Sequence, residues 1–140
     1  YDMTSVVKYE GSLRTVMTHL YSGNSVITDA PLDNQGLAQA FSPTDMVASA
    51  LGSCMLTIMG IKARDMNVDI TGTRAEVTKV MQQTPRKISR IIVHVHLPDR
   101  SFDERTITIL KNAARTCPVA LSLHPDIEQD ITFYHHGVTV

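Results

Sequence analysis

The sequence has no basic excess. Thirteen Lys and Arg face fourteen Asp and Glu, for a formal net charge of -1. That balance excludes electrostatic capture of nucleic acid or of an anionic membrane surface. No long run of one sign is present, so no charged tail is expected. Cysteine is scarce as well. Cys54 and Cys117 are the only two, too few for a small secreted fold stapled by disulfides. A reducing compartment, the cytoplasm, suits them better, and there two free thiols are either reactive or buried. The polar stretch Tyr1-Asp2-Met3-Thr4 is followed by no apolar h-region, so no secretory signal is read there. Internal repeats, low-complexity tracts and linkers are also missing.

What is present fits a single globular domain over 1–140. The 140 residues are 43% hydrophobic and 19% charged, enough for a real core and too apolar for disorder. Val6–Glu10, Leu13–Leu20 and Ser25–Asp29 read as short strands broken at Gly11 and at Ser22-Gly23-Asn24, an antiparallel meander. Pro31–Gly36 reads as loop. Ser42-Pro43-Thr44-Asp45 is a helix start, with Ser42 as N-cap, Pro43 at the first helical position and Asp45 three residues past the cap. This helix is expected to run to about Asp65. Its stretch Met46–Ile61 carries no charge. It falls short of the roughly 18 to 20 apolar residues of a membrane span and is rich in Ser, Gly, Ala and Thr. A central helix covered by sheet or by a second subunit is the better reading. Val68–Met81 and Ile88–Leu97 read as long strands joined at Gln82–Pro85. Ser101 starts a helix with Asp103 and Glu104 in its first turn, Cys117-Pro118 opens a short one to about Leu123, and Ile131–Tyr134 closes as a strand. The class is α+β with largely antiparallel sheets around a long buried helix.

Cys54 falls near the middle of the apolar helix, where the helix dipole helps a thiolate little. Such a cysteine is either a small buried hydrophobe or a reactive group with a cation beside it. Cys117 precedes Pro118 at a helix N-cap, where free backbone N–H groups can stabilise a thiolate. It is equally readable as a helix connector without chemistry.

The run from Phe41 to Cys54, Phe-Ser-Pro-Thr-Asp-Met-Val-Ala-Ser-Ala-Leu-Gly-Ser-Cys, resembles the central-helix signature of the OsmC/Ohr family. Ala114-Arg115-Thr116-Cys117-Pro118-Val119 resembles that family's second cysteine motif. The strand-rich N-terminus, the cysteine spacing and the closing strand fit too, so the resemblance covers essentially the whole chain. It implies a swapped homodimer with two central helices back to back, and a thiol peroxidase acting on organic, and also inorganic, hydroperoxides. Cys54 becomes a sulfenic acid and Cys117 resolves it to a disulfide. An external dithiol, a lipoyl group in some members, restores the thiols. Neither metal nor flavin is implied. In the family an arginine of the N-terminal strands activates the thiolate and binds peroxide, and Arg14 is its match.

One departure stands out. The family commonly has a glutamate ten residues before the first cysteine, holding that arginine. Here the position is Thr44, with Asp45 beside it. Asp45 either takes over that role or only caps the helix. Arg14, Thr44 and Met55 are the residues expected to meet the peroxide, with Met46 and Met59 also giving an apolar pocket or simply filling core. His94 and His96 share a strand face, and His124, His135 and His136 follow, but none has the spacing of a zinc site. The rival functional reading is a dimeric small-ligand binder or redox sensor with weak or no peroxidase activity.

Overall fold

The N-terminal strands meet over a two-residue turn. In the computed structural model, which describes all 140 residues, β1 (Ser5–Gly11) pairs antiparallel with β2 (Arg14–His19), and β2 with β3 (Ser25–Asp29). Ser12 and Leu13 at the turn both have positive φ, 54° and 63°, the geometry a two-residue hairpin of right-handed twist requires. The turn makes Arg14 the first residue of β2, opposite Asp29 in the ladder. Leu32–Asn34 is a single 3-10 turn inside the expected loop.

The chain divides into two compact units, residues 1–47 and 48–140. In the first, the buried residues are Thr28, Asp29 and Ser42, all polar, while Val6, Val7, Tyr9, Val26 and Ile27 are exposed. A three-stranded sheet that buries no apolar side chain has no core to stabilise it.

The helix α1 (Pro43–Asp65) starts where Ser42 and Asp45 cap it reciprocally. The Asp45 N–H donates to Ser42 Oγ at 3.1 Å, and the Ser42 N–H donates to Asp45 Oδ2 at 3.0 Å. By length and composition α1 could cross a membrane, its most apolar window having a mean hydropathy of 1.5. Its role here is that of a core helix. Ala48, Leu51, Met55, Met59 and Ala63 are buried in the hydrophobic cluster of the second unit. The opposite side is not covered by this chain: Val47, Ala50, Ser53, Thr57 and Ile61 are exposed. The all-round burial expected from the uncharged run is therefore met on one side only.

The second unit is a four-stranded sheet in the order β4 (Arg74–Gln83), β5 (Arg86–His96), β6 (Glu128–His135), β7 (Val138–Thr139). Ile91, Val93 and Val95 of β5 are fully buried and alternate with half-buried Ile92, His94 and His96, as strand periodicity demands. Helices α2 (Glu104–Ala114) and α3 (Pro118–Ser122) carry the chain from β5 to β6, so those two strands run parallel. The sheet is otherwise antiparallel. Two boundaries differ from the sequence reading. Val68–Thr73 is not strand, because Asp69 Oδ1 accepts the Thr71 N–H at 2.9 Å and Gly72 takes a φ of +94°. The hydrogen bonds from Thr71, with Arg100 alongside, lower the Asp69 carboxyl to about 2. Helix α2 is capped by Asp103, whose Oδ1 accepts the Thr106 N–H at 2.7 Å, rather than starting at Ser101.

Gly52 lets α1 lie close on β4. A Cβ there would sit 2.9 Å from Val77 Cγ2 and 3.5 Å from Ala75 Cβ. Gly52→Leu should gain about 1 kcal/mol of helix propensity and lose more than that to overpacking, typically about 1–3 kcal/mol in a filled core. We expect a lower melting temperature by circular dichroism. A Gly52→Leu protein melting at or above wild type would show that the contact yields easily.

Candidate thiol site

Cys54 lies midway along α1, half-buried, on the edge of the face that packs into the core. Its position follows from the helix period: it sits between Leu51 and Met55, both fully buried, and the exposed Ser53 and Thr57. Mid-helix backbone N–H groups are already bonded within the helix, so they offer nothing to a thiolate.

Cys117 is placed differently. It ends the turn after α2 and is the N-cap of α3, with Pro118 at the first helical position. Its Sγ accepts the Ala120 N–H at 3.3 Å. The side chain has no exposed surface. Burial pushes the Cys117 thiol up from its ordinary value, the Ala120 N–H pulls against that, and the neighbouring Cys54 thiol adds to the rise. Cys54, 63 positions away in sequence, packs against the same hydrophobic cluster in which Cys117 is buried. Both are free thiols.

In the first unit Arg14, Asp29 and Gln39 form a closed set. Arg14 Nη2 is 3.5 Å from Asp29 Oδ2 and donates to Gln39 Oε1. The Gln39 N–H donates to the same Asp29 oxygen at 2.9 Å. Asp29 is 1% exposed. Its other oxygen, Oδ1, is buried and has no hydrogen-bond partner. The carboxylate opposite Arg14 is therefore Asp29, which the sequence reading did not single out. Asp45 is engaged at the helix cap, and Thr44 Oγ1 lies 3.3 Å from Ser42 Oγ in the same cap. Met55 and Met59 have no exposed surface. They back the core and can shape a pocket only from behind, whereas Met46 is half-buried.

His94 and His96 flank Tyr134 on one face of the second unit's sheet. His96 stacks on Tyr134 at 4.9 Å between ring centroids and its Nε2 lies 2.7 Å from Glu76 Oε1. That contact lowers the Glu76 carboxyl. No group of three or more His, Cys, Asp or Glu side chains is arranged to hold a metal ion.

Comparison with known proteins adds the family. Residues 35–132 match the OsmC-like protein family. A protein of Psychrobacter arcticus, described provisionally as an osmotic stress induced and detoxification response protein, is 54% identical. Its structure superposes with a TM-score of 0.91, covering 96% of this chain and 97% of that one. An organic hydroperoxide resistance protein of Legionella pneumophila shares the fold at 14% identity, with a TM-score of 0.73 over 95% of this chain and 98% of its own. The organic hydroperoxide resistance protein OhrB of Bacillus subtilis does so at 17%, with a TM-score of 0.66 over 94% and 98%. No match is found among curated proteins. With the family pattern covering most of the chain and a relative identical at more than half of the aligned positions, the chain belongs to the OsmC/Ohr family.

Proposed function

We propose that the protein is a thiol peroxidase that reduces organic hydroperoxides. The observation that carries this reading is that a half-buried mid-helix thiol, Cys54, borders the same hydrophobic cluster in which a second thiol, Cys117, is fully buried. The Cys54 thiolate attacks one peroxide oxygen, a sulfur–oxygen bond forms, the oxygen–oxygen bond breaks, and the alkoxide leaves with a proton as the alcohol. Cys54 is then a sulfenic acid. The Cys117 sulfur attacks the Cys54 sulfur, and the Cys117 proton leaves with the hydroxyl group as water. A disulfide results. An external dithiol, of which a lipoyl group is one form, returns both thiols by exchange and is itself oxidised. Two cysteines, too few to staple a small secreted fold, fit a reducing compartment, the cytoplasm. The test is consumption of an alkyl hydroperoxide with excess dihydrolipoamide. Many turnovers per subunit are expected. One oxidation per subunit and no more would overturn the reading in favour of a redox sensor.

The working form is a homodimer. Two exposed apolar surfaces support this: the sheet face with Val7, Tyr9 and Val26, and the uncovered side of α1 with Val47 and Ile61. Surfaces of this kind mark an interface. Sedimentation at micromolar concentration should give twice the mass of the 15.5 kDa chain. A stable monomer there would refute the assignment.

A further inference from the structure

We propose that Asp29 is the positioning carboxylate of Arg14, filling the role left open by Thr44. The inference rests on the peroxidase reading above. The strand register makes the pair, since Arg14 begins β2 directly opposite Asp29 on β3. The hairpin turn at Ser12-Leu13 fixes where β2 begins, so both partners sit on paired backbone rather than on a free loop. Gln39 closes the set from the next segment, its backbone N–H on Asp29 and its side-chain oxygen on Arg14. A guanidinium on a flexible stem samples many rotamers. Held through Nη2 alone, it keeps its other N–H donors for an incoming oxygen.

The burial of Asp29 separates this from a merely local hydrogen bond. An asparagine side-chain oxygen could also accept the Gln39 N–H. A charge at 1% exposure is costly in a protein interior, and the Arg14 guanidinium is the cation that compensates it. Oδ1 is buried and has no hydrogen-bond partner, so hydrogen bonding satisfies only one of the two carboxylate oxygens. What the negative charge does in this place is hold a cation.

The experiment compares wild type with Asp29→Asn, Asp29→Glu and Gln39→Ala in three measurements. The first is the guanidinium NMR signal of Arg14. The second is the rate of Cys54 alkylation by iodoacetamide at fixed neutral pH. The third is alkyl hydroperoxide turnover with dihydrolipoamide. For Asp29→Asn we expect an averaged Arg14 signal, slower alkylation, and kcat/KM lower by about 10- to 100-fold, the scale of a misplaced catalytic group. Asp29→Glu should recover part of each. The direction of the alkylation change is decisive. Loss of a negative charge that costs Arg14 none of its positioning would favour a thiolate and speed alkylation, so a faster rate in Asp29→Asn overturns the proposal. Should Asp29→Asn fail to fold, Gln39→Ala removes only an exposed side-chain contact. It is expected to shift all three readouts the same way by less, and no shift overturns the proposal. If wild type itself shows no turnover, the peroxidase reading fails on its own. The Arg14 signal then still decides the placement: averaging in Asp29→Asn upholds it, and an unchanged signal ends it.

Discussion

Cys54→Ser is expected to abolish hydroperoxide turnover, by a factor on the order of 10³ or more. The reason lies in the element. A thiolate is a strong nucleophile toward peroxide oxygen and survives as a sulfenic acid, whereas a serine hydroxyl at neutral pH is protonated and has no comparable oxidised state. The replacement is nearly isosteric at a half-buried position, so the fold should remain, and circular dichroism provides the check. Cys117→Ser should behave differently. Its Cys54 still reacts once with peroxide, but the sulfenic acid has no partner and persists. Mass spectrometry should find one added oxygen on Cys54 in Cys117→Ser and a Cys54–Cys117 disulfide in oxidised wild type. Peroxide turnover by Cys54→Ser within an order of magnitude of wild type would remove Cys54 from the mechanism. A disulfide-free oxidised wild type would remove Cys117.

Much of the site was legible because its local chemistry is written in short runs. Ser42-Pro43 and Asp45 mark the start of α1 by capping alone, and Cys117-Pro118 marks the N-cap of α3; both starts lie where the sequence places them. The β5 alternation was equally readable, since one buried face forces a period of two. What could not be read depends on pairing across the chain. The parallel β5–β6 contact needs the path of α2 and α3, and β7 is two residues long. The strand reading of Val68–Thr73 failed because a single Asx turn at Asp69 outweighs the apolar alternation around it. Asp29 was missed for a similar reason. At the end of a strand it looks like a solvated turn residue, and only the ladder register sets it opposite Arg14. A hint was present, since Arg14 follows a hairpin turn and Asp29 ends the next strand, but reading it requires the register first.

Arg14→Lys is the second large effect we expect: kcat/KM for an alkyl hydroperoxide lower by about 100-fold, with the protein still folded. A half-buried thiol in mid-helix receives no help from the helix terminus, so a cation has to favour its thiolate. Lysine retains the charge but not the planar fork of donors that can hold Gln39 and a peroxide oxygen together. Arg14→Ala loses the charge as well, and Cys54 alkylation at neutral pH should slow further than in Arg14→Lys. Two of the three rival cations are poorly placed. Arg64 lies ten residues along α1 from Cys54, about 15 Å of helix. Arg74 alternates with Ala75, the residue that faces Gly52, so it points to the other side of the sheet, where it pairs with Glu76 at 3.7 Å. Arg115 lies over the Phe133 ring at 5.6 Å, two residues before Cys117, and is the serious competitor. The discriminating comparison is therefore Arg14→Ala against Arg115→Ala. If Cys54 alkylation is unchanged in the first and slowed in the second, the activating cation is Arg115, and the Arg14–Asp29 pair is a structural feature of the N-terminal sheet alone.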